Sequence, residues 1–206
     1  KANSVLKISG FLHDTLMVLI NNTLVSPELR TSPDLNNFGA WRKENSELVL
    51  TDKDLTDVTL DLVVENWGRS HWQPYPQFKG LLEDQVLINE EVVHDWTLHP
   101  LEFKQAWTMW KTYSQTDRDP ATLYKGYLDI TGEPSDTFVD MSDWTKGIVI
   151  VNGFVLGRYT SIGPQQSLYL PAPFLKEGRN EILIFEHFSS PGTIKFSKDP
   201  IYSIVY

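Results

Sequence analysis

The sequence predicts an all-β protein made of two tandem β-sandwich or jelly-roll domains. Short apolar runs of strand length recur along the 206 residues and are separated by turns rich in Gly, Pro, Asn and Asp. Only one segment has the periodicity of a helix. Apolar residues make up 41% of the chain, which is enough for a packed core.

The strand signals are of two kinds. Residues 58–66 alternate, with Val58, Leu60, Leu62 and Val64 on one face, as in a strand buried on one side. Residues 182–185 are continuously apolar, which is typical of a strand buried on both sides. Further strands are predicted at 4–8, 15–20, 47–51, 84–89, 92–98, 123–130, 136–140, 147–151, 154–159, 167–170, 193–197 and 201–205.

Two segments predict hairpins. Residues 148–151 lead through Asn152-Gly153 into residues 154–156, and both turn residues tolerate the positive φ of a type I′ turn. Residues 16–25 repeat this pattern around Asn21-Asn22. Two similar hairpins indicate two related sandwiches in tandem.

The domain boundaries follow from these signals. We expect a first β-domain over residues 1–95, a connector over 96–121 and a second β-domain over 122–206. The connector contains a predicted helix at 101–111, with Phe103, Ala106, Trp107 and Trp110 on one face. The first domain has five or six predicted strands and the second has eight or nine. We therefore expect the first domain to be incomplete and a partner segment to supply the rest, because unpaired sheet edges are prone to aggregation.

Composition excludes several classes of function. A net charge of −9 gives no electrostatic basis for binding nucleic acid or an anionic membrane, and no apolar run is long enough to span a membrane. There is no cysteine, the five histidines have no metal-ligand spacing, and no phosphate-binding or nucleophile motif occurs. We predict no cofactor and no metal. The sequon at Asn21 is a glycosylation site if the chain enters the secretory pathway.

Two blocks of sequence carry a family resemblance. The first reads WTKGIVIVNGFVLGRY at 144–159, GPQQSLYLP at 163–171 and LKEGRNEI at 175–182. The second reads LDLVVENWGR at 60–69, followed by FKGL at 78–81. Both resemble the C-terminal β-domains of glycoside hydrolase family 35 β-galactosidases, and the first resembles their galactose-binding-like jelly roll. The resemblance covers nearly the whole chain.

The resemblance implies where the chemistry lies. In such enzymes an N-terminal TIM barrel carries both catalytic glutamates, so we assign no catalytic residue to this chain. Glu65 and Glu91 lie at or near predicted strands, but most acidic residues here suit solvated faces or turns. Also absent is the strand with which the family's first β-domain begins.

The resemblance also implies roles for single residues. Trp72 matches an aromatic that lies near the sugar pocket of the barrel, and it either lines that pocket in trans or only packs at the domain interface. Asn66 and Arg69 are expected to hold the same loop. Structural roles are expected for Trp144, Gly153, Gly157, Arg158 and Tyr159. Thr160 stands where the family often has Trp, which argues against a sugar platform there.

The sequence is compatible with three functions. The first is the non-catalytic C-terminal portion of a retaining exo-β-galactosidase, which completes a TIM barrel held on a separate N-terminal chain or missing segment and acts on terminal β-galactosides. The second is a stand-alone galactose-binding module or lectin, and the third is a purely structural or adhesive domain. The resemblance implies the secretory route, to the lysosome or the extracellular space. The natural substrate, a homo-oligomer, and whether Lys1 is a processing site stay open.

Overall fold

The structure is a computed structural model that describes residues 1–69, 78–103, 120–163 and 166–202. The chain divides into two compact units, Lys1–Leu98 and His99–Tyr206. Within the described residues, fourteen strands form antiparallel sheets, and the helical content is limited to short 3-10 turns at Ser32–Asn36, Glu83–Gln85 and Ala172–Phe174. The predicted all-β class is confirmed.

The first unit contains two sheets that enclose one apolar core. One sheet has the strand order β4-β1-β6-β7 and the other has the order β3-β2-β5. Leu6, Ile8, Leu16 and Val18 from both sheets meet in the core. The strands are β1 (Val5–Ile8), β2 (Thr15–Ile20), β3 (Thr23–Leu24), β4 (Ser46–Val49), β5 (Leu60–Glu65), β6 (Val86–Ile88) and β7 (Glu91–Val92).

The second unit has the same kind of architecture. One sheet has the order β11-β10-β13-β8 and the other has the order β12-β9-β14. Its core includes Val139, Trp144, Val149, Leu170 and Ile184. The strands are β8 (Thr122–Ile130), β9 (Thr137–Asp140), β10 (Lys146–Val151), β11 (Phe154–Thr160), β12 (Ser167–Leu170), β13 (Gly178–Glu186) and β14 (Lys195–Ser197).

Strand β13 confirms the prediction for a strand buried on both faces. Ile182 and Ile184 face the core between the sheets. Leu183 and Phe185 face the opposite side, where Phe103 and neighbouring apolar side chains cover them. The continuous apolar run therefore reflects two packed faces, whereas β1 alternates between buried and half-buried residues.

Both predicted hairpins are confirmed. The turn between β2 and β3 has φ angles of 48° at Asn21 and 65° at Asn22, and the turn between β10 and β11 has 48° at Asn152 and 82° at Gly153. Positive φ at both central residues is the requirement of a type I′ turn.

Four other predictions differ from the structure or lie outside it. The strand predicted at 92–98 is wrong: β7 ends at Val92, and residues 93–98 form no strand. Exposed side chains such as Leu98 leave that segment without a packed face. The strand count predicted for the first domain was also wrong, because seven strands are described there and not five or six. Seven strands are described in the second unit, and the last strand predicted there, at 201–205, falls largely outside the described residues. Residues 101–103 are not helical, and the rest of the helix predicted at 101–111 falls outside the described residues, as do residues 203–205.

Candidate functional site

The candidate site lies in the first unit, where the residues on either side of segment 70–77 meet; the segment itself is outside the described residues, and we use the word loop for its connection between Trp67 and Lys79. Asp14 lies immediately before β2, and its carboxylate binds both sides of this loop. The backbone N–H of Trp67 donates to Asp14 Oδ2 at 2.7 Å. Lys79 Nζ donates to Oδ1 and Oδ2 at 2.9 and 2.8 Å. A single carboxylate therefore closes the loop between Trp67 and Lys79, and we call this arrangement the Asp14 clamp.

The clamp is protected from solvent. The side chains of Lys79 and Asp14 are only 18% and 13% exposed. A backbone hydrogen bond of 2.6 Å from Gly80 N to the carbonyl of His13 reinforces the same contact. Because a partly buried ion pair is screened less by water than a surface pair, the clamp holds the loop ends more firmly than an exposed ion pair would.

A second carboxylate lies at the end of β5. Glu65 Oε2 accepts hydrogen bonds from the indole N–H of Trp67 at 2.7 Å and from the Thr15 hydroxyl at 3.3 Å. The Trp67 ring packs against Trp41 with 4.7 Å between ring centroids. Glu65 therefore orients an aromatic pair at the start of the loop, and both carboxylates of this region bind protein groups.

Of the three residues predicted for this loop, Asn66 and Arg69 are described. Asn66 accepts a hydrogen bond from the backbone N–H of Gly68 at 2.8 Å, so it shapes the turn that leads into the loop. Arg69 is exposed. Trp72, the predicted pocket residue, lies outside the described residues, so its role stays a prediction.

Sequence reasoning missed Asp14. Lys79 and Trp67 were part of the quoted blocks, but their partner lies more than 50 residues earlier in the chain. An acidic residue next to the first residue of a fully buried strand was the only local signal. Only the pairing of β2 with β5 brings Asp14 to the loop.

The second unit contains a buried polar network around Glu186. Its carboxylate accepts hydrogen bonds from the backbone N–H groups of Thr145, Lys146 and Phe188 and from the Tyr159 hydroxyl. Burial raises the pKa of Glu186, although these donors oppose the shift. Burial together with the Glu186 charge raises the pKa of Tyr159. Because Glu186 is 1% exposed, we interpret this network as structural.

Trp144, which was predicted to be structural, and Gly147 also lie in the second unit's core. Trp144 is 4% exposed, and its indole N–H donates to the carbonyl of Thr193 at 3.1 Å. Gly147 permits a close approach, because a Cβ there would lie 1.8 Å from the carbonyl oxygen of Phe185. The motif around 144–159 thus serves packing.

Asn21, the predicted glycosylation site, is exposed in the β2–β3 turn. Its Oδ1 accepts a hydrogen bond from Thr59 N at 2.9 Å. In the second unit, Asn152 Oδ1 accepts from Glu181 N at the same distance. Asn21 therefore has a structural role in its turn, whether or not its amide carries a glycan.

Neither a metal cluster nor a membrane helix is found within the part of the chain that the structure describes. No group of three or more His, Asp or Glu side chains there could hold a metal ion. No described helix is long and apolar enough to cross a membrane.

Comparisons with known proteins give the family. A family profile described as the galactose-binding domain of β-galactosidase matches residues 121–180. β-Galactosidase-1-like protein 3 of Rattus norvegicus is 31% identical over 94% of this chain, which covers 29% of that protein. β-Galactosidase 17 of Arabidopsis thaliana is 28% identical over 90% of this chain and 29% of its own length. β-Galactosidase 1 of Dictyostelium discoideum is 30% identical over 85% of this chain and 27% of its own length.

The chain thus spans less than a third of the length of these relatives. The matches extend over both units, and the matched profile lies within the second, where the Glu186 network and the Asn152-Gly153 hairpin form the frame of the sandwich. The chain therefore belongs to the β-galactosidase family, as a C-terminal part that includes the galactose-binding domain.

Proposed function

We propose that this chain is the non-catalytic C-terminal portion of a retaining exo-β-galactosidase. It would complete and support a catalytic TIM barrel that is held on a separate N-terminal chain or on a segment outside this sequence. The observation that carries the proposal is the Asp14 clamp, which fixes both ends of the loop that contains Trp72. Fixed positions for Trp67 and Lys79 support the proposal, since they limit where the segment between them can lie.

The chemistry of such a ring fits a sugar pocket. An indole offers a flat apolar surface that packs against the apolar face of a pyranose ring. Glycoside hydrolysis itself needs two carboxylates on either side of the scissile bond. Asp14 and Glu65 already accept hydrogen bonds from the loop, so in this proposal they position it and the barrel supplies the catalytic pair.

A second candidate function is galactose binding by the second unit itself. The observation that favours it is an exposed aromatic on the sheet surface. Tyr127 is 54% exposed, and its ring lies 4.8 Å from the guanidinium carbon of Arg179 and 5.7 Å from Lys125 Nζ. An exposed ring flanked by charged hydrogen-bond donors suits the apolar face and hydroxyl groups of a sugar.

The cellular location is part of the same proposal. A β-galactosidase of this kind would follow the secretory route to the lysosome or the extracellular space, and Asn21 would then carry a glycan. The exposure of Asn21 in a tight turn supports its access to the glycosylating enzyme. A mass increase that is lost in an Asn21→Gln variant, for protein from a secreting cell, would test this point.

Native mass spectrometry separates the first two functions. A complex with a second polypeptide that hydrolyses a chromogenic β-galactoside supports the enzyme portion. A species near 23.7 kDa that binds galactose in calorimetric titration supports the module. In that case Tyr127→Ala should abolish binding, whereas Tyr169→Ala, at another exposed tyrosine, should not. Both functions would be contradicted if the chain is found alone, does not bind galactose and does not increase the activity of a catalytic TIM barrel.

A further inference from the structure

The hairpin between β10 and β11 contains the only Asn-Gly dipeptide in the sequence, Asn152-Gly153. Asparagine is a chemically labile residue, because the backbone nitrogen that follows it can attack the carbon of its side-chain amide. Glycine at the following position leaves that approach open, since it has no Cβ. Asn152 is therefore the asparagine of this chain that is most prone to lose its side-chain nitrogen.

The reaction is deamidation, with water as the co-reactant. Base removes the proton of the Gly153 amide, and the nitrogen forms a bond to Cγ of Asn152. The bond between Cγ and Nδ2 then breaks, and Nδ2 takes a proton from solvent and leaves as ammonia. Water opens the resulting cyclic imide at either of its two carbonyl carbons. One product is aspartate, and the other is isoaspartate, in which the backbone runs through the former side chain.

The folded hairpin holds the Asn152 side chain away from this attack. Its Nδ2 donates to the carbonyl of Phe174 and to Asn180 Oδ1, both at 2.8 Å. Its Oδ1 accepts from Glu181 N at 2.9 Å. These partners belong to β13 or to the turn before it, and β13 lies on the opposite side of β10 from β11, to which Gly153 leads. Attack by Gly153 therefore requires the side chain to leave all three partners.

The aspartate product does not fit the closed hairpin. A carboxylate oxygen in place of Nδ2 would face two acceptors, the Phe174 carbonyl and Asn180 Oδ1. Asn180 is not free to present its NH₂ group instead. Its Nδ2 donates to the carbonyls of Lys176 and Gly178 at 2.8 and 3.1 Å, and its Oδ1 accepts from Lys176 N at 2.9 Å. Because Asn180 is 0% exposed, bulk water does not relieve the repulsion.

The isoaspartate product changes the turn itself. It inserts an extra backbone carbon into a two-residue turn whose φ angles are 48° and 82°. This turn sets the register in which Val151 of β10 faces Phe154 of β11. A turn with a longer backbone does not preserve that register.

The start of β11 is the part of the hairpin that is least secured. Among the described strands, β11 pairs only with β10, at the edge of its sheet. Phe154 and Val155 are 48% and 43% exposed. The Phe154 ring stacks on Phe174, with 4.2 Å between the ring centroids and 19° between the ring planes. Local opening of the hairpin therefore has to break this stack and the hydrogen bonds of the turn, and it leaves the core of the sandwich in place.

We propose that Asn152 is a site of spontaneous deamidation, that the reaction occurs when the start of β11 detaches, and that neither product re-forms the hairpin. The closed hairpin suppresses the reaction, so the modified fraction records how long the hairpin has been open. Because the change is irreversible, it limits the lifetime of the second unit.

Peptide mass spectrometry of the protein after incubation at mildly alkaline pH tests the proposal. Conversion of Asn152 to aspartate and isoaspartate should be roughly tenfold or more faster in guanidinium chloride than in the folded protein. The peptide that contains Asn21-Asn22 is the internal control. It forms the same kind of turn, but the residue after Asn21 has a Cβ, so Asn21 should change little under either condition.

Phe154→Ala tests the route of opening. Loss of the stack on Phe174 should increase the conversion rate of Asn152 severalfold in the folded protein and leave the rate in guanidinium chloride unchanged. Phe11→Ala is the matched control, since Phe11 is 47% exposed and lies in the first unit. It should alter neither rate.

Asn152→Asp tests whether the aspartate product is tolerated. In unglycosylated protein it should shift the urea denaturation of the second unit to lower urea concentrations. Asn21→Asp should leave the denaturation of the first unit close to that of the wild type, because the side-chain bond from Thr59 N uses Oδ1, which aspartate keeps. Both residues have positive φ, which aspartate tolerates as asparagine does, so the comparison isolates the acceptors around Nδ2.

Three outcomes would overturn the proposal. The first is conversion of Asn152 at equal rates in folded and denatured protein. The second is a Phe154→Ala variant whose folded-state rate matches that of the wild type. The third is an Asn152→Asp variant that is as stable as the wild type. Each readout is independent of galactoside hydrolysis, so it stands apart from the test of the proposed enzyme role.

Discussion

At the scale of single residues, the carboxylate of Glu186 accepts hydrogen bonds from four buried donors in the second unit. Its Oε1 accepts from the N–H groups of Lys146 and Phe188, and its Oε2 accepts from Thr145 N and the Tyr159 hydroxyl. Each donor would otherwise be buried without an acceptor, at a cost of about 1–3 kcal/mol. A carboxylate is suited to the position because both of its oxygens can only accept.

Glu186→Gln should therefore destabilise the protein by about 2–4 kcal/mol, although it conserves shape. The NH₂ group of Gln would replace one of the two carboxylate oxygens. At either position it would face a backbone N–H, so two donors would meet without an acceptor. Tyr159→Phe removes one donor and leaves the other three bonds, so it should cost about 1 kcal/mol. Urea denaturation measures both values. A Gln variant no less stable than the Phe variant would contradict this role of the carboxylate.

His187 gives the second unit a dependence on pH. Burial, together with the charge of Lys146, holds its pKa well below the ordinary 6.5. As pH falls below 6.5, the unfolded chain takes up a proton at His187 and the folded chain does not. Folded stability should therefore decrease by up to about 1.4 kcal/mol per pH unit from this group. His187→Gln should flatten that slope in denaturation measured from pH 7 to 5, and an equal slope would be inconsistent with a neutral His187.

At the scale of elements, the turn between β10 and β11 depends on Gly153. Gly153 has a φ of 82°, which a β-branched residue rarely adopts. Gly153→Val should lower the free energy of unfolding by about 1–2 kcal/mol. Gly126→Val is the matched control, since that glycine lies inside β8 with no atom within 4 Å of an added Cβ. Thermal melting compares the two, and equal melting temperatures would refute the turn assignment.

The loop clamp is also a property of elements, since it joins the start of β2 to the segment after β5. Asp14→Ala removes the acceptor of both Trp67 N and Lys79 Nζ. In the assembled enzyme, kcat/KM for a β-galactoside should decrease by about tenfold or more, because a misplaced positioning group weakens transition-state contacts. Asp143→Ala, which breaks an exposed ion pair with Lys195, is the control and should leave the constants unchanged. Unchanged constants for Asp14→Ala would mean that the clamp serves folding alone.

At the scale of the whole molecule, the proposed function gives Trp72 a role in the sugar pocket of the catalytic barrel. Trp72→Ala in the assembled enzyme should raise KM or lower kcat while the melting temperature stays close to that of the wild type. Steady-state kinetics and thermal melting together measure this. If Trp72 only packs at an interface, the melting temperature would decrease and the kinetic constants would not change.

Local patterns were sufficient for much of the fold. The alternation in β5, the continuous apolar run in β13 and the Asn-Gly hairpin all follow from neighbouring residues, because side-chain period and turn chemistry are local. The strand predicted at 92–98 was wrong because pairing, unlike side-chain period, is not a local property. Its apolar side chains, including Leu98 at 87% exposed, have the strand pattern, but the partner strand β6 begins at Val86, opposite Val93, and gives the following residues nothing to pair with. A strand requires a partner, which no window of sequence supplies.

The candidate site was predictable only in part. Motifs identified the loop and the aromatic Trp72, but Asp14 was missed because it reaches Trp67 and Lys79 only through the pairing of β2 with β5. The partial first domain was expected from a strand count, yet that count was too low, since the first unit has seven described strands. That β5 pairs on one side only, within the described part of the chain, emerges from the order of strands in the sheets.

By itself the sequence determined the all-β class, the two hairpin turns and the family of this protein. Periodicity, turn residues and motif spacing are properties of adjacent residues, so they can be read without coordinates. Tertiary structure alone decided that Asp14 joins Trp67 to Lys79, that Glu186 accepts from four buried donors, and that β5 has a described partner strand on only one side. These features depend largely on contacts between residues distant in the sequence, such as Thr145 with Glu186 and Asp14 with Lys79, and only the packing of strands brings such residues together.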